Sequence, residues 1–279
     1  MSSLNSGLSG CKLEILDNMT IRKYSSTPEY NYRLSLQCDK QVLFSNLILR
    51  NIDIPKIYSI KKDNLYFFDM EYVCGVSFVE YFSTSNSYEI DFIVNTLFEY
   101  FDFLISTKRD FLVNTQISEK IRILKNNTKY INYLHFLEQY VLKNDIIIPK
   151  TFCHGDLTFS NILFHKNRLF FIDFLDSYVD SFICDLVKLK QDLFYFWNLK
   201  INDCYSLRIA QIYRYIWNKI NYRYFLYINQ KSFDIFDALN LLRIEPYLTS
   251  DYHRDILNQL ITESKLYEEF NNTYGREIF

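Results

Sequence analysis

The chain has 279 residues, 49% of them hydrophobic, with 31 Lys and Arg against 33 Asp and Glu. That length suits a sizeable core in one or two domains, and a formal net charge of −2 excludes the basic field that holds a nucleic-acid backbone. No apolar run is long enough to span a membrane, residues 90–105 being interrupted by Asp91, Glu99 and Asp102, and Met1-Ser2-Ser3-Leu4 lacks the character of a signal peptide, so neither a nucleic-acid nor a membrane partner is expected and the expected compartment is cytoplasmic.

In chain order, alternating runs at 12–16 and 19–24, joined by Asp17-Asn18, predict a β-hairpin. Residues 28–47 follow a helical spacing through Leu34, Val42, Phe44 and Leu47. Strands are predicted at 57–60 and 65–72 around the charged turn Lys61-Lys62-Asp63-Asn64. Beyond Gly75 the pattern turns helical at 88–106, 118–125 and 131–142. A short strand, loop and hairpin then occupy 151–176, with strands at 162–164 and 169–172 about the turn His165-Lys166-Asn167. From there helices are expected at 184–197, 204–228, 233–242 and 252–274. The fold class is therefore α+β, with a small β-rich N-lobe and a large α-helical C-lobe. The six cysteines form no CxxC pair and no zinc-like spacing, so they are expected as thiols. The 24 Tyr and 25 Phe beside only five Gly read first as a base-composition bias.

The chemistry is concentrated in Cys153-His154-Gly155-Asp156-Leu157-Thr158-Phe159-Ser160-Asn161 and Phe171-Ile172-Asp173-Phe174. Asp156 is suited to orient and deprotonate a hydroxyl, provided it has a rigid seat within hydrogen-bond reach. Asn161 and Asp173 are oxygen ligands of the kind Mg2+ takes alongside phosphates and water. The two strands of the intervening hairpin return Asn161 and Asp173 to one end of the sheet. Phosphoryl transfer is largely positioning and charge neutralisation, so these three groups around a bound nucleotide supply most of what it needs.

These residues resemble the aminoglycoside phosphotransferase and choline kinase group, small-molecule kinases with a protein-kinase-like fold. His154-Gly155-Asp156 with Asn161 is similar to the group's catalytic loop, and Ile172-Asp173-Phe174 to its metal-binding motif. The resemblance implies a bilobal chain, residues 1–75 covering the nucleotide and residues 76–279 carrying the catalytic loop, metal site and acceptor pocket. It implies Asp156 as catalytic base, Mg2+ held by Asn161 and Asp173, and ATP or GTP as donor. The resemblance places the phosphate-binding lysine on the strand Thr20-Ile21-Arg22-Lys23 and implies Lys23 in that role; alternation sends Arg22 and Lys23 to opposite faces, so one of the two reaches the nucleotide. In Asp69-Met70-Glu71-Tyr72-Val73-Cys74-Gly75, backbone groups near Glu71 and Val73 would meet the adenine. Gly7 and Gly10 lie where a phosphate-covering loop is expected, because glycine lets backbone N–H groups approach phosphate closely.

One position departs from the group's pattern. Where the early helix should offer a glutamate to the lysine, the nearest candidates are Gln37, Asp39 and Gln41, of which the sequence aligns Gln41, with Asp39 as the alternative. Asp185 is expected to brace the catalytic loop, and Asp176 either to face the acceptor or to be a loop acid. Acidic and basic residues nearly balance after Phe174, which favours a neutral or mildly charged sugar-like hydroxyl compound over a polycation. The expected function is transfer of the γ-phosphoryl group of ATP to a small-molecule hydroxyl. The alternative is a weak or inactive kinase-fold nucleotide-binding module.

Overall fold

The computed structural model describes residues 10–274 apart from residues 18 and 48. In chain order the elements are β1 (Cys11–Ile15), β2 (Thr20–Ser25), α1 (Asn31–Ser45), β3 (Ile52–Asp53), β4 (Ile57–Lys62), β5 (Tyr66–Glu71), α2 (Phe78–Thr84), α3 (Ser87–Ser106), β6 (Arg109–Leu112), α4 (Asn114–Leu124), α5 (Ile131–Lys143), β7 (Ile147–Lys150), β8 (Ile162–His165) and β9 (Arg168–Phe171). Six further helices complete the chain: α6 (Phe182–Leu193), α7 (Trp197–Ile201), α8 (Leu207–Tyr224), α9 (Gln230–Leu242), α10 (Asp251–Thr262) and α11 (Lys265–Tyr274). The predicted α+β class, strand-rich early and helical late, is what the structure has. By packing the chain divides into two compact units, one running to Tyr100 and taking in His154–Ser177, the other comprising Phe101–Cys153 and Tyr178–Phe279.

In the first unit four antiparallel strands run in the order β1-β2-β5-β4. Burial along β2 alternates residue by residue: Ile21, Lys23 and Ser25 are buried, while Thr20, Arg22 and Tyr24 are half-buried. This is the period of two that sends successive side chains to opposite faces. Helix α1 covers the buried face: Leu34 and Cys38, one turn apart, join Cys11, Tyr66 and Phe68 in one apolar cluster, with Tyr30, Ile57 and Met70 at its edge. On the other face the Arg22 guanidinium lies over the Phe67 ring, 4.0 Å from its centroid, and makes a two-pronged bond to Asp69 at 2.7 and 3.0 Å.

The same unit holds the three-stranded sheet β3-β9-β8. Its hairpin pairs Ile162 with Phe171 and turns at Lys166, whose φ of 51° is the left-handed conformation a tight turn requires. The segment leaving β5 crosses this hairpin. Val76 and Phe164 exchange both backbone hydrogen bonds, at 2.8 and 3.0 Å. A Cβ on Gly75 would stand 2.9 Å from the Leu163 Cβ, so only glycine lets the two strands approach this closely. Helix α2, absent from the sequence expectation, follows at once. Its start is fixed by Ser77, whose hydroxyl accepts from the Glu80 N–H, and Tyr81 stacks on Phe164 at 4.4 Å.

The second unit is helical apart from the β6–β7 pair. The predicted helix at 252–274 is in fact two, α10 and α11. The break falls at Ser264, whose N–H and hydroxyl both donate to the Ile261 carbonyl and divert the backbone from the α pattern. Likewise 184–197 ends early as α6, and 204–228 is α8 followed by a 3-10 turn at Phe225–Tyr227. Among the described residues no helix is long and apolar enough to cross a membrane, and none of the six cysteines forms a disulfide.

Phe164 is buried against Tyr81, Phe82 and Phe159, where α2 meets the hairpin. Phe164→Ala should destabilise the protein by about 3–5 kcal/mol, measured by urea unfolding; a loss under 1 kcal/mol would show that this contact does not hold the hairpin.

Candidate active site

The site assembles at the open end of the β8–β9 hairpin. Opposite Ile162 and Phe171 the strands diverge, and the last rung is the Ile172 N–H donating to the Asn161 carbonyl at 3.0 Å. Asp173 is therefore one residue beyond the rung that Asn161 closes. Its φ is +61°, a left-handed conformation that a non-glycine residue adopts at some cost. The turn that results lifts its carboxylate away from the strand and leaves the side chain 39% exposed, so a further ligand has access to it.

Asp156 sits in the loop before the hairpin. The Asn161 side-chain amide donates to both the Asp156 carbonyl, at 2.9 Å, and its Oδ2, at 3.0 Å. The Thr158 N–H donates to the same Asp156 carbonyl at 2.8 Å. With Nδ2 of Asn161 so engaged, its Oδ1 is the atom left for a cation, and the bond to Oδ2 gives the Asp156 carboxylate the rigid seat a general base requires.

His154 joins this loop to the segment around Asp173. The acceptor-only Ile172 carbonyl, 2.9 Å from Nε2, and the donor-only Asp156 N–H, 3.2 Å from Nδ1, together fix the neutral Nε2–H tautomer. The His154 carbonyl in turn accepts from the Leu175 N–H at 3.1 Å. One residue thus grips the chain on both sides of Asp173. Its ring is fully buried against Phe174, centroids 4.3 Å apart, and this burial pushes its pKa down to about 4 despite the nearby Asp156 and Asp173. Gly155 has φ +88°, and a Cβ there would meet the Leu175 carbonyl oxygen at 2.3 Å. No other residue fits between the loop and that carbonyl.

Lys23 reaches the same centre from β2. Its ammonium donates to the Asp173 Oδ1 at 2.5 Å and to the Gln37 Oε1 at 3.0 Å. Burial alone would lower its pKa, but the Asp173 carboxylate together with Cys11 and Tyr30 holds it above the ordinary lysine value. The expectation that Gln41 or Asp39 partners the lysine is corrected here: Gln37 does. Gln41 lies one turn further along α1 and donates instead to the Pro55 carbonyl at 2.8 Å, and Asp39 is exposed.

The remaining expected residues are placed as follows. Glu71 ends β5, and its N–H donates to the Lys56 carbonyl at 2.8 Å, so this donor is already committed. Val73 is half-buried in the segment leading to Gly75. Gly10 lies just before β1, where a Cβ would come within 2.6 Å of the Tyr30 ring; close packing is one reason for a glycine there. Gly7 lies outside the described residues. Asp176 pairs with Arg33 of α1 at 3.0 Å. Asp185 is fully buried in the first turn of α6, in the other unit.

Two contacts lacked a motif to announce them. Lys40 donates to the Leu175 carbonyl at 2.9 Å and to the Ser177 hydroxyl at 3.3 Å. With Arg33 and Gln37 it follows the four-then-three spacing of a single helix face. That spacing in the sequence was the available signal.

Residues 129–204, which include Asp156, Asn161 and Asp173, match the model of the phosphotransferase enzyme family. The fold is that of aminoglycoside phosphotransferases with a protein-kinase-like architecture. A gentamicin complex of APH(2")-IIa superimposes with a TM-score of 0.64 at 14% identity, covering 95% of this chain and 92% of that one. The GDP complex of aminoglycoside 2'-phosphotransferase-IIIa gives 0.60 at 16% identity, covering 95% and 92%. A ternary complex of APH(4)-Ia with AMP-PNP and hygromycin B gives 0.58 at 12% identity, covering 95% and 93%. No curated protein matches the sequence. The family match and the fold together support an enzyme of the small-molecule kinase class.

A buried neutral histidine makes stability depend on pH. The folded pKa, about 4, lies below the unfolded value near 6.5, so the unfolded chain binds more protons between the two. The contribution is fully present above about pH 6.5 and is lost as pH falls toward 4. Unfolding free energy should drop by about 2 kcal/mol between pH 7.5 and pH 5 from this group, and His154→Gln should flatten that slope. An unchanged slope would contradict the assignment.

Proposed function

We propose that this chain is a kinase that transfers the γ-phosphoryl group of ATP, or of GTP, to a hydroxyl of a small molecule. The observation that carries this reading is the junction of Lys23, Asp173, Asn161 and Asp156 through hydrogen bonds within one unit: Lys23 to Asp173, the Asp173 segment to Asn161, and Asn161 to Asp156. An ammonium for phosphate, two oxygen ligands for a cation and a seated carboxylate are the parts phosphoryl transfer uses.

In this reading Asp156 accepts the proton of the attacking hydroxyl as the new O–P bond forms, and the bond from Asn161 Nδ2 to Oδ2 keeps that carboxylate aimed. Lys23 binds the donor's phosphates. Asn161 Oδ1 and the exposed carboxylate of Asp173 fit Mg2+, which takes few protein ligands when phosphates supply the rest. Bound there, Mg2+ would neutralise charge on the transferred group. The backbone of the segment from Glu71 to Val73 meets the base, with Gly10 near the phosphates. Residues 1–75 then act as the nucleotide-covering lobe and residues 76–279 as the lobe holding loop and acceptor. The acceptor is a sugar-like compound, neutral or mildly charged, supported by the balance of charges after Phe174. The reducing cytoplasm is the proposed compartment, which the six thiols suit.

A nucleotide-consumption screen over sugars, amino alcohols and aminoglycosides tests the reading. Turnover with at least one hydroxyl compound is expected, and nucleotide binding without turnover on any would favour a binding module. With the acceptor found, Asp156→Asn should lower kcat by about 10²–10⁴-fold while nucleotide affinity stays within a few-fold. A variant as fast as wild type would remove Asp156 as the base. Asp173→Ala should abolish the metal dependence of nucleotide binding in calorimetry, and unchanged metal dependence would contradict the ligand role.

A further inference from the structure

Lys23 is only 5% exposed, and an ammonium taken out of water needs a compensating anion. On the α1 side it meets none. Gln37 offers an amide oxygen at 3.0 Å, and the rest of that amide is spent on the Tyr30 hydroxyl, to which Nε2 donates at 3.0 Å. The other groups this helix face directs at the 173–177 segment are cations, Arg33 toward Asp176 and Lys40 toward the Leu175 carbonyl and Ser177. The helix therefore brings two positive charges and a neutral amide, and the carboxylate that meets the Lys23 ammonium is Asp173 at 2.5 Å. That carboxylate is also the candidate metal ligand.

We propose that Gln37, by supplying no charge, makes Asp173 the counter-ion of Lys23 while the nucleotide is away, so that the divalent cation binds only together with the nucleotide. The step is an exchange of partners with no covalent change. The nucleotide's phosphates take over the ammonium, and the freed Asp173 oxygen turns to the metal. Without phosphates a cation at Asp173 has to take the carboxylate from a buried Lys23, to which Gln37 offers only a neutral amide in exchange. Gln37 is thus a positioning residue that couples metal to nucleotide. The proposal rests on the kinase reading for its two ligands.

Glutamate at 37 is nearly isosteric with the amide, can accept from the Tyr30 hydroxyl instead of donating to it, and adds a full charge beside the ammonium. The probe is Mn2+, titrated with and without ADP and read from the electron paramagnetic resonance of the free ion, on the full chain. Wild type should bind Mn2+ at least about tenfold more weakly without ADP than with it. Gln37→Glu should raise the nucleotide-free Mn2+ affinity about tenfold, without raising the affinity for metal-free ADP. Lys23→Met, which removes the ammonium outright, should also raise nucleotide-free Mn2+ affinity while weakening ADP, and gives the same test should Gln37→Glu not fold. Nucleotide-free Mn2+ affinity unchanged in the folded variants, or a wild type that binds Mn2+ equally with and without ADP, would overturn the coupling and leave the kinase reading standing. A wild type that binds no Mn2+–ADP at all would overturn both.

Discussion

An ammonium buried under a helix has to keep an anion within reach, and here that requirement organises the centre. Lys23 is placed by strand alternation on the face that α1 covers, and its charge is met by Asp173, 150 residues later in the chain. The pairing draws a residue with left-handed backbone to the mouth of the β8–β9 hairpin and holds it there. Without the lysine, the Asp173 turn would lose its strongest tie to the N-terminal sheet. Without Asp173, the lysine would be a buried charge beside a neutral amide, a situation that costs several kcal/mol of stability or the proton itself.

The loop that carries Asp156 is fixed to the same turn by neutral contacts. His154 holds the carbonyl on one side of Asp173 and the N–H on the other, and Gly155 lets the loop lie against Leu175 where a side chain would not fit. These bonds involve no formal charge, whereas the Lys23–Asp173 contact is an ion pair. The unit thus combines a rigid seat for Asp156 with an electrostatic contact that a phosphate can replace.

The loop, the hairpin and the β2 lysine were legible in the sequence because each rests on local rules: strand alternation, turn chemistry and the fixed spacing from Asp156 to Asn161. The lysine's helix partner was not. Gln37 and Gln41 are both buried and stand one turn apart on α1, so periodicity treats them alike. Which turn lies over Lys23 is decided by how Leu34 and Cys38 seat against Cys11, Tyr66 and Phe68, a tertiary fact. Helix α2 is different, since Ser77 with Glu80 three residues on is a legible capping signal in a short stretch overshadowed by the apolar run around it. The break at Ser264 inside an otherwise helical pattern had no glycine or proline to mark it. The acceptor's identity lies in side-chain placement that no local rule encodes.

The most direct test of this account is a crystal structure of the protein with Mg2+ and a non-hydrolysable ATP analogue. The account predicts the Lys23 ammonium moved from Asp173 onto a phosphate oxygen, with Asp173 and the Asn161 oxygen on the metal and the Asp156 carboxylate still bonded to Asn161 Nδ2. A nucleotide bound elsewhere, or bound here with Lys23 still on Asp173 and the metal away from both ligands, would contradict it.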